Sequence, residues 1–154
     1  MAAKVVTKEE FINAAGTKLD SSPWYELTQD RINTFADCTE DHQFIHVDLE
    51  KAKHTPFGGT IAHGFLTLSM MAKMAEDCYL LPENLVMGMN YGFDKIRFLS
   101  PVRAGKRVRM HAEIISVDAK DDKRFLTKMA VSVEIEGEET PALIAEWLNM
   151  SFIS

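Results

Sequence analysis

The chain has 154 residues and carries 17 Lys and Arg against 23 Asp and Glu, a formal net charge of −6. This acidic balance argues against a general nucleic-acid binder, because such proteins neutralise phosphates with an excess of Lys and Arg. The length suits one domain with a full hydrophobic core, and 46% hydrophobic with 26% charged residues excludes disorder over most of the chain.

The N-terminal half is predicted to be mainly helical. Its predicted segments are, in order, a helix over 8–15 stopped by Gly16, an extended piece over 24–27, a helix over 29–37 capped by Thr28, a polar loop over 39–48 and a short helix over 49–53. Residues 61–79 then carry apolar side chains all around the helical period. That pattern predicts a core helix enclosed on most sides.

The C-terminal half changes to strand patterns. Four strands are predicted, over 86–98, 107–117, 125–135 and 143–152. The second and third alternate apolar with polar residues, as strands with one buried face do. This order predicts an α+β fold, with an antiparallel sheet in meander connections wrapped around the long helix. We expect residues 1–154 to form one domain, with 1–20 as an N-terminal helical extension.

Redox and targeting signals favour a cytoplasmic protein. Cys38 and Cys78 are too few for a disulfide scaffold and form no Cys-x-x-Cys motif, so reduced thiols are expected. The first residues lack the apolar run of a signal peptide. The uncharged stretch over 55–72 has the length of a membrane helix, but Pro56 and the glycines in its first half favour a loop and a buried helix. No membrane partner is expected.

The polar loop concentrates carboxylates and imidazoles and is the first place to look for chemistry. Asp41 and His46 can converge on one water if the chain between them turns, which supplies two groups suited to proton exchange. A solvated loop that caps the neighbouring helices explains the same composition. A metal site is a further alternative, in which His42 and His46 join Asp41 or Asp48. The i, i+4 spacing would place these histidines on one face of a helix. However, apolar Phe44–Ile45 inside a polar loop does not suggest a regular helix there.

The segment Ile61–Gly64 leads directly into the predicted core helix. Free N–H groups in a first helical turn, at the positive end of the helix dipole, form a site for a carbonyl oxygen or a developing oxyanion. Gly64 would let a ligand approach this backbone, and His63 beside it is a candidate substrate contact. The structural alternative is that Gly64 only permits close packing and that His63 is a hydrogen-bonded residue at the helix start.

A basic run lies further along the chain. Lys95 to Arg109 holds six basic residues and no acidic one, so the rest of the chain carries 11 basic against 23 acidic residues. A solvated strand face explains such a run in most proteins. The functional alternative is a patch that attracts a phosphorylated ligand, with Lys95 and Arg97 as the candidate phosphate contacts.

Three segments in this order resemble the MaoC-like dehydratase family, which includes the R-specific enoyl-CoA hydratases, and most closely its NodN-like branch. The segments are 41–48 with its Asp-x-x-x-x-His motif, 57–64 ending in Ile-Ala-His-Gly, and 97–105 with Arg-Phe-x-x-Pro-Val. The resemblance extends over roughly residues 20–152. Two positions depart from it: many members have Asn-Pro in place of Gln43–Phe44, and some hydratases have a polar residue in place of Ala72.

The resemblance implies a hot-dog fold and homodimers with each active site near the subunit interface. It implies that Asp41 and His46 bind the water that adds to a trans-2-enoyl thioester, while the Gly64 N–H meets the thioester oxygen. The partner is then an acyl-CoA or acyl carrier protein thioester of fatty acid metabolism, and no metal or organic cofactor is needed. Two rival functions stay open: a hot-dog thioesterase and a non-catalytic subunit that binds acyl thioesters.

Overall fold

The computed structural model describes residues 3–154. Its helices are α1 Lys8–Ile12, α2 Gln29–Thr39, α3 Phe44–Val47, α4 Leu49–Ala52 and α5 Gly64–Glu76. Its strands are β1 Lys4–Val6, β2 Tyr25–Glu26, β3 Leu80–Pro82, β4 Leu85–Phe98, β5 Arg107–Ala119, β6 Arg124–Ile135 and β7 Leu143–Ile153. Within residues 3–154, no helix combines the length and the apolarity that crossing a membrane requires.

Side-chain caps start the first two helices where the sequence predicts. Thr7 forms a capping box on α1. At the start of α2, the Thr28 hydroxyl accepts a hydrogen bond from the Arg31 N–H at 3.1 Å, which confirms the predicted N-cap. Helix α1 ends at Ile12, before the predicted 15. Helix α2 continues to Thr39 because the left-handed residue that ends it is Glu40, with a φ of 62°.

The four long strands match their predicted bounds to within two residues at each end. The predicted alternation of β5 and β6 is confirmed, since their apolar positions form the buried face of the sheet. Strands β1 and β3 were not predicted, because three residues each are too few to show an alternation. They pair in parallel as a separate two-stranded sheet.

The order of the large sheet corrects the predicted meander. The strands lie in the order β2-β5-β6-β7-β4, all antiparallel, so β4 pairs with β7 at one edge rather than with β5. The connection from β4 to β5 therefore runs from one edge of the sheet to the strand next to the opposite edge. It is held to the segment before α5, where the Ala62 N–H donates to the Val102 carbonyl at 2.7 Å and the Ala104 N–H donates to the Thr60 carbonyl at 3.0 Å.

Helix α5 packs on the inner face of the sheet, which gives the α+β hot-dog arrangement expected from the sequence. It begins at Gly64 rather than 61 because Ile61 is extended and bridges to Arg103. The prediction that α5 is enclosed on most sides is wrong for the single chain. Leu66 and Met74 are buried against the sheet, whereas Phe65 on the opposite side is 66% exposed.

Candidate active site

The polar loop places its two predicted catalytic residues on different local structures. The left-handed turn at Glu40 ends α2, and exposed Asp41 follows it directly. His46 lies in α3, a four-residue helix where the sequence suggests none, and it is only 7% exposed. A single helical turn is too short to show a helical period, which explains why α3 was missed.

Backbone hydrogen bonds fix the orientation of the His46 ring. Its Nδ1 lies 2.7 Å from the carbonyl oxygen of Ile61. A carbonyl only accepts, so Nδ1 carries the proton and the Nε2 lone pair is left for other chemistry. Burial lowers the pKa of His46 below its ordinary value, against the opposing effect of the Ile61 hydrogen bond. His46 is therefore a neutral imidazole near pH 7 with a free basic nitrogen.

His63 lies directly beside this ring. The two imidazoles stack with centroids 3.8 Å apart and 24° between their planes, and Phe35 packs on His63 at 4.9 Å. The His63 Nε2 lies 3.0 Å from the backbone carbonyl of Asp41 and donates to it. Its Nδ1 is buried and has no hydrogen-bond partner among residues 3–154. His63 is thus a hydrogen-bonded residue at the start of α5, as the structural alternative holds, and one of its ring nitrogens is buried without a partner among residues 3–154.

Asp41, His46 and His63 come together as one cluster. One ligand atom from each lies within 4.8 Å of the others. Among the described residues, no other group of three or more His, Cys, Asp and Glu side chains has the spacing to hold a metal ion. The alternative metal set in the sequence is not assembled, since the His42 Nε2 pairs with Asp37 at 2.8 Å and Asp48 caps α4.

Gly64 begins α5 beside a cavity of about 270 Å³. His46, Thr67 and Phe98 also line this cavity. A Cβ at Gly64 would lie 3.0 Å from the Phe98 ring, so the residue is needed for close packing, as the structural alternative holds. Close packing and a contact to a ligand are compatible at Gly64, because this residue also lines the cavity.

Thr67 is a site residue that sequence reasoning missed. It is buried one turn after Gly64 and lines the same cavity. The i, i+3 spacing from Gly64 was the available signal, since residues three apart share a helix face.

Lys95 and Arg97 are not brought to this cluster. They pair in register with Glu146 and Ile144 on β7, whose side chains face the outer side of the sheet, away from α5. The rest of the basic run is partly neutralised: Arg107 pairs with Glu136, and Arg109 pairs with Glu134 at 2.7 Å.

Comparisons with a family model and with individual relatives point to the same family. The family model "MaoC like domain" matches residues 10–138. Nodulation protein N of Rhizobium leguminosarum bv. viciae is 45% identical over 136 residues, which are 88% of this chain and 84% of that protein. The 3-hydroxyacyl-thioester dehydratase Z of Mycobacterium tuberculosis H37Rv is 41% identical over 133 residues, 86% of this chain and 87% of that protein.

The solved structures agree on the fold. The crystal structure described as a monoamine oxidase regulatory protein from Archaeoglobus superposes with a TM-score of 0.78 at 25% identity. The superposition covers 100% of this chain and 99% of that one. The hot-dog architecture expected from the sequence is thereby confirmed.

Proposed function

Because the chain belongs to the MaoC-like dehydratase family, we propose that it is a hydro-lyase that adds water reversibly to trans-2-enoyl thioesters and forms (3R)-3-hydroxyacyl thioesters. The 41% identity to a 3-hydroxyacyl-thioester dehydratase supports this reaction class. The observation that carries the proposal is the meeting of Asp41, His46 and His63 within 4.8 Å, next to the first turn of α5.

Asp41 and His46 would hold the reacting water between them. The neutral His46 Nε2 takes one proton as the water oxygen bonds to the β carbon, and the Asp41 side chain accepts a hydrogen bond from the other O–H of that water. The protonated His46 then returns its proton to the α carbon, so the net change is addition of H and OH across the double bond. Dehydration of the 3-hydroxyacyl thioester follows the same steps in reverse.

The first turn of α5 would stabilise the thioester oxygen. Negative charge develops on this oxygen as the β carbon is attacked, and the Gly64 N–H lies at the helix end where the macrodipole is positive. One preorganised donor of this type contributes about 3 kcal/mol to the transition state. The thioester would be carried by CoA or by an acyl carrier protein.

Two copies of the chain would complete the enzyme. Strand β4 forms an edge of the large sheet, and it carries exposed Val86, Met89 and Tyr91. A long apolar edge strand is a template for pairing with another chain, and the open side of α5 with Phe65 faces solvent in the single chain. Light scattering coupled to size exclusion tests the homodimer: twice the mass of the 17.4 kDa chain supports it, and the monomer mass contradicts it.

The catalytic pair is tested by hydration of crotonyl-CoA. We expect Asp41→Asn and His46→Gln each to lower kcat/KM about 10²- to 10⁴-fold, the usual loss of a positioned acid–base group. His42→Gln is the matched control, because its imidazole pairs with exposed Asp37 outside the cluster. Equal rates for wild type and all three variants would remove the assignment.

A further inference from the structure

One glutamine side chain joins two of the segments that form the candidate active site. Gln29 is the first residue of α2, and its amide contacts both α3 and the segment before α5. The Gln29 Nε2 donates to the His46 carbonyl at 2.8 Å, and its Oε1 accepts a hydrogen bond from the Thr60 hydroxyl at 2.5 Å. These two hydrogen bonds, the Gln29 bridge, connect residue 46 to residue 60.

Helix α3 depends on contacts from outside itself. It has four residues, Phe44–Val47, which are too few for a helix that is stable alone. The carbonyl of a residue so near the end of a helix has no partner within that helix. The Gln29 amide supplies this partner for the His46 carbonyl, and so it holds the backbone of the residue that carries the proposed base.

Thr60 anchors the other arm of the bridge. Its side chain is buried, so its hydroxyl needs an acceptor inside the protein, which is the Gln29 Oε1. Thr60 directly precedes Ile61, whose carbonyl accepts the His46 Nδ1 hydrogen bond at 2.7 Å. The Ile61 N–H donates to the Ile45 carbonyl at 3.0 Å. The two segments that meet at the His46 ring are thus joined by a backbone hydrogen bond and by the Gln29 bridge.

The two arms require a donor and an acceptor on one side chain. The His46 carbonyl only accepts, whereas the Thr60 hydroxyl donates, so an amide satisfies both. A carboxylate in the same place has no hydrogen to give to the carbonyl, and a thioether offers only a weak acceptor. The two partners therefore explain why the side chain here is a glutamine.

We propose that Gln29 is a positioning residue for the hydration reaction. The Gln29 bridge fixes His46 relative to Ile61 and so directs the His46 Nε2 lone pair at the reacting water. This inference rests on the proposed function, in which His46 is the base. A displacement of about 1 Å caused by a residue outside the chemistry can lower a rate about 100-fold. Loss of the bridge should therefore lower kcat more than it raises KM.

The first test measures hydration of crotonyl-CoA by variants of the bridge. Gln29→Met and Gln29→Glu both lose the donor to the His46 carbonyl, and kcat should fall about 10- to 100-fold with KM changed less than about twofold. Thr60→Val loses only the other arm and should lower kcat less, whereas Thr60→Ser keeps the hydroxyl and should keep the wild-type rate.

Asn33→Ala is the matched control for these rates. It removes only the hydrogen bond from Gln29 to exposed Asn33 within α2 and leaves both arms of the bridge in place, so its kcat should equal that of wild type. Wild-type kcat in both Gln29 variants would overturn the inference, and so would an equal loss in Asn33→Ala.

The second test observes the His46 ring directly and needs no turnover. In nitrogen NMR of protein with isotope-labelled histidine, wild-type His46 should show one tautomer, with the proton on Nδ1, as its contact to Ile61 requires. Gln29→Met should give a mixture of both tautomers, while Asn33→Ala keeps the single form. An unchanged ring spectrum in Gln29→Met would overturn the inference. If wild type does not hydrate crotonyl-CoA, the proposed function fails, while a tautomer change in Gln29→Met still supports the bridge as the element that orients His46.

Discussion

The two ends of α5 bury polar groups in opposite ways. At the N-terminal end, His46 and His63 each donate one ring N–H to a backbone carbonyl, of Ile61 and Asp41 respectively, and leave one nitrogen free. At the other end, the buried Trp147 Nε1 and the buried hydroxyl of Thr127 on β6 make no hydrogen bond within residues 3–154. The difference indicates that the first end is oriented before any ligand binds, whereas the second end holds polar groups that the chain itself leaves unsatisfied.

Among the tests of this comparison, a larger side chain at Gly64 is expected to cause the largest loss of activity. In Gly64→Ala the Cβ would meet the Phe98 ring at 3.0 Å and displace either the ring or the helix start. We expect kcat/KM for crotonyl-CoA to fall about 10²-fold, the loss typical of one misplaced oxyanion donor. Gly59→Ala is the matched control in steady-state assays, because nothing lies within 4 Å of its Cβ position. Similar rates for both variants would contradict the assignment of Gly64.

Substitution of one polar residue at each end tests the contrast directly. His63→Leu removes the hydrogen bond to the Asp41 carbonyl and the stack on His46, and should lower crotonyl-CoA turnover about tenfold, or about 1.4 kcal/mol. Thr127→Val removes an unpaired hydroxyl with little change of shape and should leave the Tm unchanged or raised. Thermal unfolding and steady-state rates measure both. A large fall in Tm for Thr127→Val would show that its hydroxyl is already paired.

The pH dependence of kcat/KM tests His46, at the N-terminal end of α5, and its expected effect is smaller. Burial lowers the pKa of His46 below about 6.5, its value in the unfolded chain. The basic form is then present above that lowered pKa, so kcat/KM should rise with pH through a midpoint below 6.5 and stay high above it. An acid limb centred above 6.5 would contradict a neutral His46 as base.

The same lowered pKa makes stability depend on pH. The unfolded chain binds more protons at His46 than the folded one, so this contribution to the unfolding free energy is present above the unfolded pKa of about 6.5 and is lost as the pH falls. Urea unfolding of wild type and His46→Gln at several pH values measures it. The variant should show a weaker dependence in that range, and equal slopes would contradict the linkage.

Removal of a basic residue on the outer face gives the smallest expected effect. Arg97 lies on the side of the sheet away from His46. Arg97→Gln should therefore change the KM for crotonyl-CoA less than about twofold, because an exposed charge far from the ligand contributes little. A large, salt-dependent rise in KM with kcat unchanged would instead show that carrier phosphates reach this face.

Sequence patterns predicted the long strands well because alternation repeats over many residues. The pairing of β4 with β7 could not be predicted, since partners distant in the chain leave no local signal. The outward direction of Lys95 could not be predicted either. A register shift between Phe93 and Lys95 changes which side chains face inward, and a bulge of this kind shows no pattern in the residues.

The candidate site was predicted only as separate motifs. Asp41, His46 and Gly64 were found by residue type and spacing, but their approach depends on the turn at Glu40 and on α3. The stack of His63 on His46 needs two segments 17 residues apart to meet in space.

The central claim is that this chain hydrates enoyl thioesters with one stereochemical outcome. Its most direct test is to incubate the purified protein with crotonyl-CoA, to separate the 3-hydroxybutyryl-CoA enantiomers, and to measure free thiol in the same sample. The account predicts the (R)-3-hydroxy product with no release of free CoA. Free CoA without the hydroxy product would identify a thioesterase, and binding of crotonyl-CoA without any turnover would identify a non-catalytic subunit; either result contradicts the account.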